Sequence, residues 1–255
     1  MKPLTECATA PSGDSRERHM DLARANRSYL RTYPRRRSRV AGTVVVVLAA
    51  VLLAACAPAA PVNTLPGVEV RQYEGQRLDS VNDFRENSIT GPQHVDVSTY
   101  RLSVGGLVSK PATYTYDEVL SNETTYTKVM QLDCVEGWSV KLLWEGVLLS
   151  DLIDRAQPST DAVTVVFRAA DGYATSLPLD YIRSSKILLA YKMNGITIPE
   201  ERGYPFMVVA EDRWGYKWAK WVTRIELSDD PRFLGYWEQR GYSQTGLRSE
   251  SQYSK

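Results

Sequence analysis

A mixed α+β domain is predicted for the chain from about residue 71 onward, on three observations. Short runs rich in β-branched, aromatic and other apolar residues recur along it. Brief stretches with apolar residues at helical spacing separate them, and turn signals built on Gly, Asn, Asp and Pro fall between. In chain order, residues 100–104 read as a strand that ends at Gly105-Gly106, and 115–120 as a helix whose first turn carries the Asp117-Glu118 pair. A strand follows at 129–132, then a helix at 148–155 with apolar residues on one face, then a strand at 162–167 closed by Asp171-Gly172. A short helix at 179–184, a strand at 187–191 ending in Asn194-Gly195, a turn at Arg202-Gly203-Tyr204-Pro205, and strands at 206–210 and 218–227 complete the pattern. Residues 69–98 show little periodicity; a stretch of that kind in a small domain is usually functional or wrapped over the core.

Upstream, Arg35, Arg36, Arg37 and Arg39 precede an uncharged apolar run, 40–55, which closes on Leu53-Ala54-Ala55-Cys56. A basic flank, an apolar stretch shorter than the ~20 residues of a spanning helix, and small residues at its end read as a signal peptide. An uncleaved N-terminal anchor is the other reading of the same run. Leu-Ala-Ala-Cys resembles the bacterial lipoprotein box, which implies cleavage before Cys56, lipid on Cys56, and a protein exported to the cell envelope and held on the outer face of the membrane. The arginine cluster loosely resembles a twin-arginine export signal. The expected organisation is a polar extension plus signal peptide over 1–55, a lipidated tether over 56–79 containing Pro58, Pro61 and Pro66, a folded domain over 80–243 and a polar tail over 244–255.

Residues 1–55 carry ten Lys or Arg and four Asp or Glu, so from totals of 31 and 30 the remainder keeps 21 basic against 26 acidic residues. That balance argues against a nucleic-acid binder. Of three cysteines, Cys7 lies in the extension and Cys56 at the lipid box, leaving Cys134 without a disulfide partner. Beyond the signal region His94 is the one histidine, so a His-rich or Cys-rich zinc site lacks ligands and a Ser-His-Asp triad would rest on that loop residue. Neither a Walker nor a dinucleotide-type glycine loop is present.

Cys134 lies in Gln131-Leu132-Asp133-Cys134-Val135-Glu136-Gly137-Trp138-Ser139. Alone, it reads equally as a buried structural thiol or as a soft metal ligand. As a redox nucleophile it lacks a resolving cysteine, and Asp133 and Glu136 carry the wrong charge to stabilise a thiolate. Its setting extends along the chain through Asn82-Asp83-Phe84-Arg85-Glu86-Asn87, Arg101-Leu102-Ser103-Val104-Gly105-Gly106, Trp144-Glu145-Gly146-Val147, Asp171-Gly172-Tyr173, Asn194-Gly195, Gly203-Tyr204-Pro205, Gly215-Tyr216-Lys217-Trp218-Ala219-Lys220-Trp221 and Gly235-Tyr236-Trp237. In this order the series resembles the molybdopterin-binding domain of the sulfite oxidase family, including its exported bacterial sulfoxide-reductase branch, over residues 80–243.

That resemblance implies a sulfite-oxidase-like fold of mixed sheets and short helices, and a molybdenum–molybdopterin cofactor with one pterin per metal and Cys134 as protein ligand. It implies that Asn82, Arg85 and Glu86 contact the pterin and that Lys217 and Lys220 meet the phosphate end, where cations and amide donors are needed. Relatives carry His or Asn before the Gly-x-Pro turn and Arg two residues after the proline; this chain has Arg202 and Met207, and Arg202 is the candidate replacement cation. The segment 135–139 lacks the cations that hold sulfite, while Tyr242 falls where the family places an active-site tyrosine after Trp237. Two-electron oxygen-atom transfer is expected, in either direction, with a small oxo donor or acceptor. No haem-attachment or iron-sulfur motif occurs, so electrons would pass through a separate carrier such as a membrane haem protein or cytochrome. The competing expectation is a metal-free binding or adhesion lipoprotein that keeps the fold.

Overall fold

A computed structural model describes residues 68–254. Cys56 and the whole of the expected signal region lie outside the described residues. Within them, two five-stranded sheets form around one apolar core, joined by three short helices.

The first sheet is built on the hairpin of β5 (Thr125–Asp133) and β6 (Ser139–Leu148), paired antiparallel from Thr125↔Val147 to Asp133↔Ser139. On its other side β6 pairs with β9 (Leu188–Met193), and the short β10 (Ile196–Thr197) and β11 (Met207–Val209) pair with β9 in turn to close that edge of the sheet. The register of β6 against β9 shifts between Glu145 and Gly146. Gly146 is required there: a Cβ would lie 2.4 Å from the Leu189 carbonyl oxygen and 2.7 Å from Ala190 Cα.

The second sheet runs β4 (Ala112–Tyr114), β3 (Leu102–Gly106), β12 (Val222–Ser228), β7 (Thr164–Ala169), β8 (Ala174–Pro178). Only β3 and β12 are parallel. Helix α1 (Tyr116–Asn122) opens with a capping box. Thr115 Oγ1 accepts from the Glu118 N–H (3.2 Å) and Glu118 Oε2 accepts from the Thr115 N–H (2.8 Å). Helix α2 (Leu149–Arg155) buries Leu149, Leu152 and Ile153, and α3 (Leu179–Ser184) buries Leu179 and Ile182. Trp144, Phe167, Phe206 and Trp221 are the largest fully buried aromatics. Each such side chain contributes about 1.5–3 kcal/mol by leaving water.

The observed architecture is the expected α+β arrangement, with differences that have local causes. Strands β4, β6, β8 and β10 were not among the expected elements. The strand expected over 218–227 starts only at Val222, because Trp221 adopts a left-handed backbone (φ 49°). Both domain boundaries are overrun. Residues 72–77 form the hairpin of β1 (Gln72–Tyr73) and β2 (Gln76–Arg77), and Leu78 is fully buried. The fully buried Asn194 binds Glu69 Oε1 (2.8 Å) and the Asp79 carbonyl (2.9 Å). At the other end, residues expected as a polar tail pair back onto the domain, as Tyr242↔Tyr253 and Arg213↔Leu247. Polar composition suggested a tether and a tail; backbone hydrogen bonds, which composition does not report, tie residues 70–79 and 243–254 into the fold.

Candidate active site

The β5–β6 hairpin places Cys134 on its turn. The Cys134 N–H donates to the Trp138 carbonyl (2.9 Å), the Gly137 N–H donates to the Cys134 carbonyl (3.1 Å), and Gly137 supplies the positive φ (85°) that closes the loop. Cys134 lines a cavity of about 780 Å³, a volume that includes the open solvent at its mouth. Phe84 packs against Trp138 (5.8 Å between rings) and Trp144, and Trp144 against Trp218 (5.6 Å), giving the site an aromatic wall. Glu136 Oε2 lies 3.9 Å from Sγ and accepts from Trp138 Nε1 (3.2 Å). Burial pushes the Cys134 thiol up from its ordinary value and the Glu136 carboxylate adds to this, while a hydrogen bond from Asn87 works the other way.

The remaining candidates divide into those on the cavity and those off it. Lys220 lines the cavity with its side chain 11% exposed; Nζ donates to the Asn87 carbonyl (2.6 Å), meets Glu86 Oε1 (3.3 Å) and lies over the Trp221 ring (4.4 Å). Burial lowers its pKa, against the opposing pull of Glu86. Arg85 is exposed on the cavity wall, just before the Glu86-Asn87 pair that Lys220 grips. Glu86 reaches the site only through Lys220. Tyr242 is on the wall, half-buried among the rings of Tyr216, Trp237 and Tyr253.

Three expected residues are placed elsewhere. Asn82 is solvent-exposed on the 3-10 turn Val81–Asp83, away from the cavity. Arg202 donates from Nε to the Phe84 carbonyl (3.0 Å) and pairs with Glu201, so it braces the loop before Arg85 and adds no charge to the cavity. Met207 does line the cavity, 1% exposed. Lys217 points the opposite way from the expectation: it is fully buried against Glu238 Oε1 (2.5 Å) and the Ser176 carbonyl (3.1 Å) and takes no part in the wall. Its neighbour three residues on is the lysine that faces the site.

Residues 89–237, more than half of the chain, match the oxidoreductase molybdopterin-binding domain. The chain belongs to that family. This molybdopterin-binding domain is an oxidoreductase of the sulfite oxidase family, and relatives agree. It is 32% identical over 156 residues to the uncharacterized oxidoreductase YuiH of Bacillus subtilis, covering 61% of this chain and 78% of that protein. It is 29% identical over 227 residues to a protein-methionine-sulfoxide reductase catalytic subunit, MsrP, of Gluconobacter oxydans, covering 77% and 70%. A putative protein-methionine-sulfoxide reductase subunit, YedZ1, of Azospira oryzae matches at 32% over 60% of this chain and 58% of its own length. The sulfane dehydrogenase SoxCD of Paracoccus pantotrophus shares the fold, with a TM-score of 0.54 and 22% identity over 69% of this chain and 57% of that one.

The residues of the molybdopterin-binding domain fit the cofactor its family implies. Among the described residues no group of three or more His, Cys, Asp or Glu could hold a metal ion. A metal at Cys134 therefore has to bring most of its ligands with it, which a dithiolene-bearing pterin does. The aromatic wall suits the pterin ring, and Lys220 with Arg85 supplies positive charge for a phosphate. Asn87, Glu136 and Tyr173 also line the cavity and were assigned no role from sequence. Each lies inside a motif that carries the resemblance, so the signal was present but did not say which side chain turns inward.

Proposed function

We propose that this chain reduces sulfoxides by two-electron oxygen-atom transfer, at a molybdenum–molybdopterin whose protein ligand is Cys134. The observation that carries this reading is a thiol on the wall of an aromatic-lined cavity that offers cations for a phosphate, with no further metal-ligand cluster among the described residues. When bound, the cofactor supplies the two-electron exchange of oxygen with substrate.

The chain's own groups would do the rest. Cys134 gives up its proton on ligation, and the aromatic wall excludes water from around its sulfur. Lys220 and Arg85 hold the anionic end of the cofactor. Glu136, 3.9 Å from Sγ, and the absence of cations over 135–139 disfavour a small dianion such as sulfite, and favour a neutral oxo compound. The names of the MsrP and YedZ1 relatives point in the same direction. Tyr242 presents a phenolic O–H to the substrate oxygen; its pKa is raised, by burial first and then by Tyr253, so it acts as a hydrogen-bond donor at neutral pH. The balanced reaction consumes one sulfoxide, two electrons and two protons, and yields a sulfide and water. The electrons come one at a time from a separate carrier, a membrane haem protein or cytochrome. Location in the cell envelope, with lipid on Cys56, would bring the enzyme to such a carrier.

The test is metal analysis of the chain purified from a molybdopterin-producing host, with dye-driven reduction of dimethyl sulfoxide. Near-stoichiometric molybdenum that disappears in Cys134→Ala, together with sulfoxide reduction, supports the reading. Folded chain devoid of molybdenum would instead indicate a metal-free binding lipoprotein, and sulfite oxidation without sulfoxide reduction would reverse the direction.

A further inference from the structure

The segment after residue 242 lies beyond the family match, which ends at residue 237, yet it touches Tyr242 on the cavity wall and Asp133, the residue before Cys134. From Tyr242 it turns and runs along the 212–214 strip. The Trp214 N–H donates to the Gly246 carbonyl (2.8 Å), Arg213 bridges Leu247, and the Arg248 N–H donates to the Asp212 carbonyl (3.0 Å). Arg248 Nε then reaches Asp133 Oδ2 at 2.7 Å, on the residue that precedes Cys134; the other carboxylate oxygen accepts from Gln131 Nε2 (2.7 Å).

The chain next returns to where it started. Tyr253 bridges Tyr242, the Ser243 N–H donates to the Gln252 carbonyl (2.9 Å), and the Ser254 N–H and Oγ both donate to the Gly241 carbonyl (2.9 and 3.0 Å). The Tyr253 ring lies 5.2 Å from that of Tyr242 while remaining 54% exposed. So large a ring, left mostly in water, contributes little to the core. Its main contact is the outer face of a cavity residue, which it pins against Tyr216 and Trp237 (5.3 Å each).

We propose that Tyr253 and Arg248 are positioning residues: the 243–254 segment is a strap that holds both Tyr242 and the Cys134 turn in place on the cavity wall. The proposal rests on the reading of this cavity as the reaction site. Tyr253 acts through Tyr242 by a tilted ring contact, and Arg248 acts through Asp133 by fixing the end of β5.

The test uses the full chain loaded with molybdopterin, and a double-mutant cycle. Tyr253→Ala should lower kcat/KM for dimethyl sulfoxide about fivefold, the scale of one aromatic contact, with molybdenum content and melting temperature unchanged. Tyr253→Phe should restore it. In a Tyr242→Ala background the same substitution should have no further effect, because the residue it positions is gone. A second readout is independent of turnover: amide hydrogen exchange should accelerate at residues 241–243 in Tyr253→Ala and at residues 134–138 in Arg248→Gln. Equal activity losses in both Tyr242 backgrounds, or unchanged exchange in both variants, would overturn the strap. A wild-type chain without molybdenum would defeat the functional reading instead, and the exchange measurement would still decide the strap.

Discussion

Lys217→Met should be strongly destabilising, for a reason that separates it from every cofactor role. Lys217 and Glu238 form an ion pair in which neither side chain has any solvent exposure. The ammonium donates to Glu238 Oε1 and to the Ser176 carbonyl, and Thr175 Oγ1 donates to the same Glu238 oxygen at 2.8 Å. Glu238 Oε2 has no hydrogen-bond partner. Burial pushes the Lys217 pKa down and Glu238 pulls it back, the usual contest within a desolvated pair. Methionine fills similar volume but strands the carboxylate, and breaking a buried pair from one side costs about 3–5 kcal/mol. In a domain of this size each kcal/mol moves the melting temperature by ~2–4 °C, so a fall of about 6–20 °C is expected by calorimetry. Adding Glu238→Gln removes the stranded charge while leaving an oxygen for Thr175, and should recover most of the loss. A melting temperature within about 2 °C of wild type, accompanied by loss of molybdenum, would show that Lys217 serves the phosphate end of the cofactor after all and would refute the reasoning.

The remaining predictions concern the cavity, the sheet and the buried phenols. Lys220→Met should reduce bound molybdenum severalfold, read by metal analysis, with the melting temperature nearly unchanged because its partner Glu86 keeps 33% side-chain exposure. Gly146→Ala forces a methyl group to within 2.4 Å of the Leu189 carbonyl oxygen, so β6 and β9 must part; a loss of about 1–3 kcal/mol in urea unfolding is expected. Tyr100 and Tyr173 are buried phenols whose pKa values are raised above the ordinary 10.0 by desolvation. The folded chain keeps their protons where the unfolded chain releases them, so their contribution is intact below about pH 10 and is lost as pH rises further. Two such groups give a slope of roughly 2.7 kcal/mol per pH unit; equal unfolding free energies at pH 9.5 and pH 11, or an unchanged slope in Tyr100→Phe, would contradict this.

The sequence shows most clearly those elements whose burial is one-sided. Helix α3 is expected and observed over the same residues, and α2 within one residue, because each buries a narrow apolar face that leaves a readable period. Strand β6 leaves none: it is covered on both faces for most of its length and interrupted by Gly146, so it looks like an apolar loop until β5 and β9 are placed beside it. The same distinction divides the site. Cys134 stands out from its type and its isolation, since soft-ligand chemistry needs no knowledge of the neighbours. The two lysines could not be told apart, because both follow the same glycine and each immediately precedes a tryptophan. What separates them is Glu238, which captures Lys217 from 21 residues away, and the left-handed Trp221 beside Lys220. Tyr242 and the strap behind it depend on contacts further along still, where a polar tail finds backbone partners. A residue's chemical type is therefore readable alone, whereas its direction is set by charges and backbone groups supplied from distant segments. That is why the double-mutant cycle at Tyr242 and Tyr253, and not inspection of either residue, measures what the end of the chain contributes to the reaction.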